Sequence, residues 1–209
     1  RFDPFMVNCT KNGGVSIPDL KLLDGLTPAR LANRRELLQE LNSVRRRVDA
    51  LQDTQIDTTY RQAYQLLTTA STLKAFDISE ESQETREAYG RTSFGQSALL
   101  GRRLVEAEVP YIQVNWSQFA EVFYNFSDYG WDTHNEGQEK QHILIRQLDQ
   151  ALASLVLDLE KHKLFDKTLV VVATEFGRPA QFDDGGGRGH HSASFSVVTA
   201  GGGLKNGQA

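Results

Sequence analysis

Residues 169–173 read Leu-Val-Val-Val-Ala, between the turn residues Asp166 and Lys167 and the polar pair Thr174 and Glu175. A run this apolar has no polar side to offer water, so as a strand it must be covered on both faces. The chain supplies a cover directly ahead of it. Ile143, Leu144, Leu148, Ala151, Leu152, Leu155 and Leu159 recur at helical spacing, and the helix they describe ends in Lys161, His162 and Lys163, cations suited to a helix C-terminus. Upstream, the helical stretch FGQSALLGRRLVEAE leads into VPYIQVNW, a β-branched and aromatic run that reads as another strand. Downstream, SFSVVTAGGG reads as a third. Apolar strands alternating with helices predict an α/β chain whose sheet is mainly parallel.

The N-terminal part follows another pattern. Pro4, Gly13, Gly14, Pro18 and Gly25 punctuate residues 1–26, which predicts an irregular lead-in with short extended pieces. Thr27 reads as an N-cap with Pro28 at the first helical position. Leu37, Leu41, Val44, Val48 and Leu51 then mark one helix, and Tyr60, Ala63, Leu67, Ala70 and Leu73 a second, giving a helical hairpin over residues 28–76. Ser79, followed by Glu80 and Glu81, predicts the cap of a third helix reaching Tyr89, and His142 and His162 are expected to face solvent. The expected organisation is one domain over 1–209, with a helical segment at 27–92 and an α/β segment at 93–209.

Charge and cysteine usage exclude several functions. A formal net charge of -4 and a pI near 5.8 argue against nucleic acid as a partner, since phosphate backbones are met by clustered Lys and Arg. No apolar run approaches the roughly 18 residues that a membrane-spanning helix needs. Cys9 is the single cysteine, which rules out an intrachain disulfide and a cysteine-based zinc site.

Ligands of open α/β sheets bind beyond the carboxyl ends of the strands, and the polar clusters fall largely there. Asn115, Asp132 and His134 follow one predicted strand, Glu175 and Arg178 follow another, and Arg188, His190 and His191 precede the last. Asp, His and Glu are donors that zinc or manganese accepts, whereas calcium sites avoid imidazole. Each cluster also has a plainer reading. Asp132 fits a cap for the helix starting near Glu136, with His134 on the surface. His190 and His191 fit a solvated glycine-rich loop, and Glu175 with Arg178 fits a salt bridge closing a turn. Arg178 equally suits bidentate binding of phosphate or sulfate.

Taken together, RTSFGQSALLGRRLVEAEVPYIQVNW, GWDTHN, LVVVATEFGR, GRGHH and AGGGLKNGQ resemble, in this order and spacing, the blocks of the domain of unknown function 1501 family. These are sulfatase-like members of the alkaline phosphatase superfamily, and the likeness runs through nearly the whole chain. The resemblance implies a three-layer α/β/α fold with metal ligands at the strand ends and hydrolysis of phosphate or sulfate esters, small or polysaccharide. It implies Asp132, His134 and His190 as ligands of a divalent ion, zinc or manganese rather than calcium, Glu175 as ligand or general base, and Arg178 as anion contact. It also implies an exported, periplasmic parent, and a nucleophile on an early strand ahead of Arg1, which would make this chain an internal fragment. Gly189 stands where the family usually has Asp, and Pro179 and Ala180 where Thr-Pro is commoner. Glu175 and Phe176 replace the superfamily's usual Asp-His pair, which favours a rival reading as a non-catalytic exported binding protein on the same fold. A third reading makes the helical hairpin an assembly module.

Overall fold

Helix formation in the centre of the chain is set by its caps. Ser82 is extended, and its Oγ accepts from the Thr85 backbone N–H at 3.1 Å, starting α1 (Gln83–Ala88). Thr92 does the same for Gly95 at 3.0 Å and starts α2 (Ser93–Glu106). The cap of the third predicted helix is therefore Ser82, not Ser79, because residues 78–80 form a single 3-10 turn that leaves Ser79 inside it. The predicted end at Tyr89 holds, since Tyr89 caps the C-terminus of α1. A computed structural model describes residues 6–16, 27, 29–30, 32–33, 36–37, 74–116, 131, 134, 137–205 and 207.

The chain divides into two compact units, one formed by Arg1–Asn8 and Val15–Asp77, the other by Cys9–Gly14 and Ile78–Ala209. In the first, Thr27 Oγ1 accepts from the Arg30 N–H at 3.2 Å, and residues 29–30, 32–33 and 36–37 are helical, as the N-cap reading requires. Most of the predicted hairpin at 28–76 lies outside the described residues. Two short strands, β1 (Asn8–Cys9) and β2 (Val15–Ser16), make a small sheet at the front of the chain.

The second unit has a core of its own. α2 packs along α3 (Gly137–Lys161), with Tyr89, Ala98, Leu99 and Ala151 buried together and Phe94 and Leu155 against them. The predicted apolar stripe of α3 lies inward: Leu144, Ala151 and Leu159 are buried and Ile143, Leu148, Leu152 and Leu155 partly so. From α3, Gln150 Nε2 and Ser154 Oγ donate to the carbonyls of Glu87 and Ala88, satisfying the open end of α1. Both long helices stop on a left-handed residue, Glu108 after α2 and Lys163 after α3, with N–H bonds from Val109 to Leu104 and from Leu164 to Leu159.

Buried polar groups here are tied by design of the sequence. Gln96 is fully buried, and its amide accepts from Arg86 Nε and donates to the Arg86 and Gly90 carbonyls. Arg86 continues to the Asn12 carbonyl at 2.9 Å, and its guanidinium fills the space a Cβ on Gly13 would take, so that turn admits only glycine. The Tyr89 hydroxyl donates to Asp158 Oδ2, and burial together with the Asp158 charge pushes its pKa up, keeping it a neutral donor.

Arg102 lies at the junction of these elements. Its side chain is 3% exposed, with Nη2 2.8 Å from Glu81, Nη1 2.5 Å from Glu106 and Nε 2.9 Å from Asp158. Arg103 pairs with Glu80 and Glu81 beside it. His162 is exposed, as expected from helical position, and it also joins the same network, with Nε2 3.4 Å from Glu106 and Nδ1 3.3 Å from Asp158.

The predicted strands have two outcomes. β3 (Leu169–Ala173) and β4 (Val197–Gly201) form where expected, but they pair antiparallel, in register Leu169↔Gly201 through Ala173↔Val197. VPYIQVNW forms no strand among the described residues. Strand composition alone is insufficient without a neighbour to take up backbone bonds. Ile112 and Val114 instead lie beside Gly101 of α2, and Trp116 stacks on Phe94 at 4.1 Å.

Candidate functional site

The excursion between β3 and β4 carries the predicted chemistry. It is pinched at its base by a two-way backbone pairing, Gly177 N–H to His191 O at 3.0 Å and His191 N–H to Gly177 O at 2.8 Å. A Cβ on Gly177 would collide with the Ser194 carbonyl, so the pinch depends on glycine at 177. Beyond it, Asp183 N–H bonds to Gly187 O and Gly186 N–H to Asp183 O, closing a tight turn in which Gly186 takes a positive φ. The Gly187 N–H donates to the His134 carbonyl at 3.1 Å and ties His134 to this turn.

Arg178 secures the same join. Its Nη1 donates to the Arg188 carbonyl at 2.7 Å and to that of Gly189 at 3.4 Å, while Nη2 donates to the Trp131 carbonyl at 3.1 Å. The guanidinium thus grips the backbone three residues before His134 and one residue before His190. Trp131 packs edge-on against Trp116, at 5.1 Å, linking the clamp through Phe94 to the helical core.

The consequence is a convergence of imidazoles. His134 Nε2 and His190 Nε2 stand 3.0 Å apart, and the rings are tilted at 4.8 Å between centroids. His190 stacks on Phe176 at 4.0 Å, which fixes its ring plane. On its other side, His134 Nδ1 donates to Asp183 Oδ2 at 2.9 Å. His134 and Asp183 are 43% and 40% exposed, so the pair is open to a ligand from solvent.

Of the predicted site residues, the fold brings His134, His190 and Arg178 together. Glu175 is exposed just past β3 and enters no hydrogen bond or ion pair among the described residues, so the Glu175–Arg178 salt bridge does not form. Asp132 lies outside the described residues. His191 is exposed and contributes its backbone to the pinch. Sequence reasoning missed Asp183. Its only signal was an acidic pair, Asp183 and Asp184, in front of three glycines. Among the described residues no group of three or more His, Cys, Asp or Glu side chains could hold a metal ion, and no helix is long and apolar enough to cross a membrane.

The family described as "Protein of unknown function (DUF1501)" matches residues 2–209. The chain belongs to the DUF1501 family. Neither a curated protein nor a solved structure matches it. The match to the DUF1501 family spans the three stretches that build the site: GWDTH supplies His134, TEFGR supplies Arg178, and GRGHH supplies His190.

Proposed function

We propose that this DUF1501 chain binds a divalent metal ion between His134 and His190 and serves the hydrolysis of phosphate or sulfate esters. The 3.0 Å approach of the two Nε2 atoms carries this reading. Two ligands on one tetrahedral zinc, each about 2.0–2.1 Å from the ion, stand roughly 3.3 Å apart, close to the separation found here. The donor set fits too, because a metal-bound histidine usually gives its other ring N–H to a carboxylate, as His134 does to Asp183. Asp132 is the proposed third ligand. Zinc or manganese suits these donors better than calcium.

Lewis-acid polarisation of the ester oxygen is the chemistry such an ion supplies when bound. The chain's own residues do the positioning. Phe176 holds the His190 ring, Arg178 holds both histidine segments by their backbones, and Glu175, exposed at the end of β3, is the proposed general base. Arg178 is proposed to attract the ester's anion through its charge. On this reading β3 and β4 form the antiparallel edge of an otherwise parallel three-layer sheet, an arrangement common in large α/β folds. The parent is proposed to be exported and to act on small or polysaccharide esters.

A second reading, a binding protein without turnover, is favoured by one observation. Glu175 and Phe176 follow β3 where enzymes of the superfamily present an Asp-His pair. Zinc titration by calorimetry, with p-nitrophenyl sulfate and p-nitrophenyl phosphate assays on the zinc-loaded full-length parent, separates the two. The hydrolase reading expects a single ion bound and one of the esters cleaved, both lost in His134→Ala. Ion binding lost in that variant, with neither ester cleaved by the wild type, supports the binding protein. Zinc uptake unchanged by His134→Ala overturns both.

A further inference from the structure

We infer that Asp183 is the positioning residue for His134, holding it as the Nδ1–H tautomer and presenting its Nε2 lone pair toward His190. The inference deepens the proposed ion site and rests on that reading for its purpose, though its chemistry is set by the geometry around Asp183. An ionised carboxylate only accepts hydrogen bonds, so the 2.9 Å contact places a proton on His134 Nδ1. A neutral imidazole with that proton has none on Nε2. The 3.0 Å gap between the two Nε2 atoms has room for one proton, which then belongs to His190. A cation held by both nitrogens would take that proton's place, with the His190 proton on Nδ1 instead of Nε2. His134 needs no such change.

Asp183 is itself held for this task. Its backbone closes the turn with Gly186 and Gly187, and Gly187 in turn bonds the His134 carbonyl, so main chain and side chain fix the same residue. Because the turn is built from backbone bonds, Asp183→Ala removes the carboxylate and leaves the loop.

The test is long-range 1H–15N correlation of the histidine rings in the metal-free chain, at a pH well above the ordinary histidine value. His134 signals are identified by their loss in His134→Ala, and zinc affinity is measured in parallel on each variant. The wild type is expected to show His134 as Nδ1–H, Asp183→Ala to shift it toward Nε2–H, and Asp183→Asn, whose amide oxygen still accepts, to restore it. Zinc affinity should fall about 10–100-fold in Asp183→Ala, the usual effect of losing such a partner, and recover in Asp183→Asn. If His134 is Nε2–H in the wild type, or if Asp183→Ala leaves its tautomer unchanged, the inference is overturned even with zinc bound. If the tautomer follows Asp183 as described and no variant binds zinc, the positioning role stands and the ion reading falls.

Discussion

Replacing Arg102 by alanine is expected to lower the unfolding free energy by about 3–5 kcal/mol, the cost of stripping a buried ion pair of one partner. Arg102 is almost wholly buried and meets Glu81, Glu106 and Asp158 with separate nitrogens. Its removal leaves Glu81 and Asp158, with side chains 15% and 11% exposed, short of the charge that balances them. Arg102→Lys should recover only part of the loss, since a single ammonium cannot meet three carboxylates in a planar fork. Urea unfolding followed by circular dichroism measures both. A change within the few tenths of a kcal/mol of an ordinary surface substitution would contradict this account of the network.

The same network predicts an acid limb. Burial alone would raise the Glu81 pKa, but hydrogen bonds from Arg103 and Arg102, with their charges, outweigh it and hold the group below its ordinary value near 4.5. A carboxylate whose folded pKa is depressed contributes stability that is present above the unfolded value and lost as pH falls through the folded one. The wild type should therefore lose stability as pH drops below the ordinary glutamate range. Arg102→Ala should lose less of it over that window, because part of the linkage is already gone.

The second large effect separates two adjacent histidines. His190→Ala is expected to weaken zinc binding by more than about 100-fold, beyond the roughly 10–100-fold that loss of a merely supporting partner causes. His191→Ala should leave affinity within a few-fold. Both residues lie in one glycine-rich stretch, but only His190 directs its Nε2 at His134 and stacks on Phe176. His191 joins the pinch through backbone atoms that alanine retains. Equal losses in the two variants would show that the loop, and not the His190 ring, is what matters. Calorimetric titration of the paired variants is sufficient to decide.

The elements that periodicity can encode were legible in the sequence. α2 and α3 follow from repeating apolar positions, and β3 and β4 from unbroken apolar runs. VPYIQVNW has strand composition but lies beside α2, because pairing is a property of the neighbour and not of the segment. Ser79 and Ser82 both precede acids, and the choice fell to the one whose hydroxyl reaches Thr85. Arg102 sits on an amphipathic helix, where a charge reads as solvent-facing. Its burial is decided by carboxylates on other turns and other helices. At the site, His134 and His190 were legible as residue types, although the strand expected ahead of His134 does not form among the described residues. Their contact, and the part played by Asp183, depend on a turn of glycines that bonds to the His134 backbone. Arg178 was read either as a salt-bridge partner of Glu175 or as a contact for an outside anion, and its hold on three carbonyls of the chain had no signal in residue type.

The central claim is that His134 and His190 share an ion through their Nε2 atoms. Crystals of the chain grown with zinc, measured on both sides of the zinc absorption edge, test it most directly. The expected result is an anomalous peak between the two rings, about 2.0–2.1 Å from each Nε2, with Asp183 still bonded to His134 Nδ1. Zinc bound elsewhere, or no peak with the two nitrogens still joined by a hydrogen bond, would contradict it.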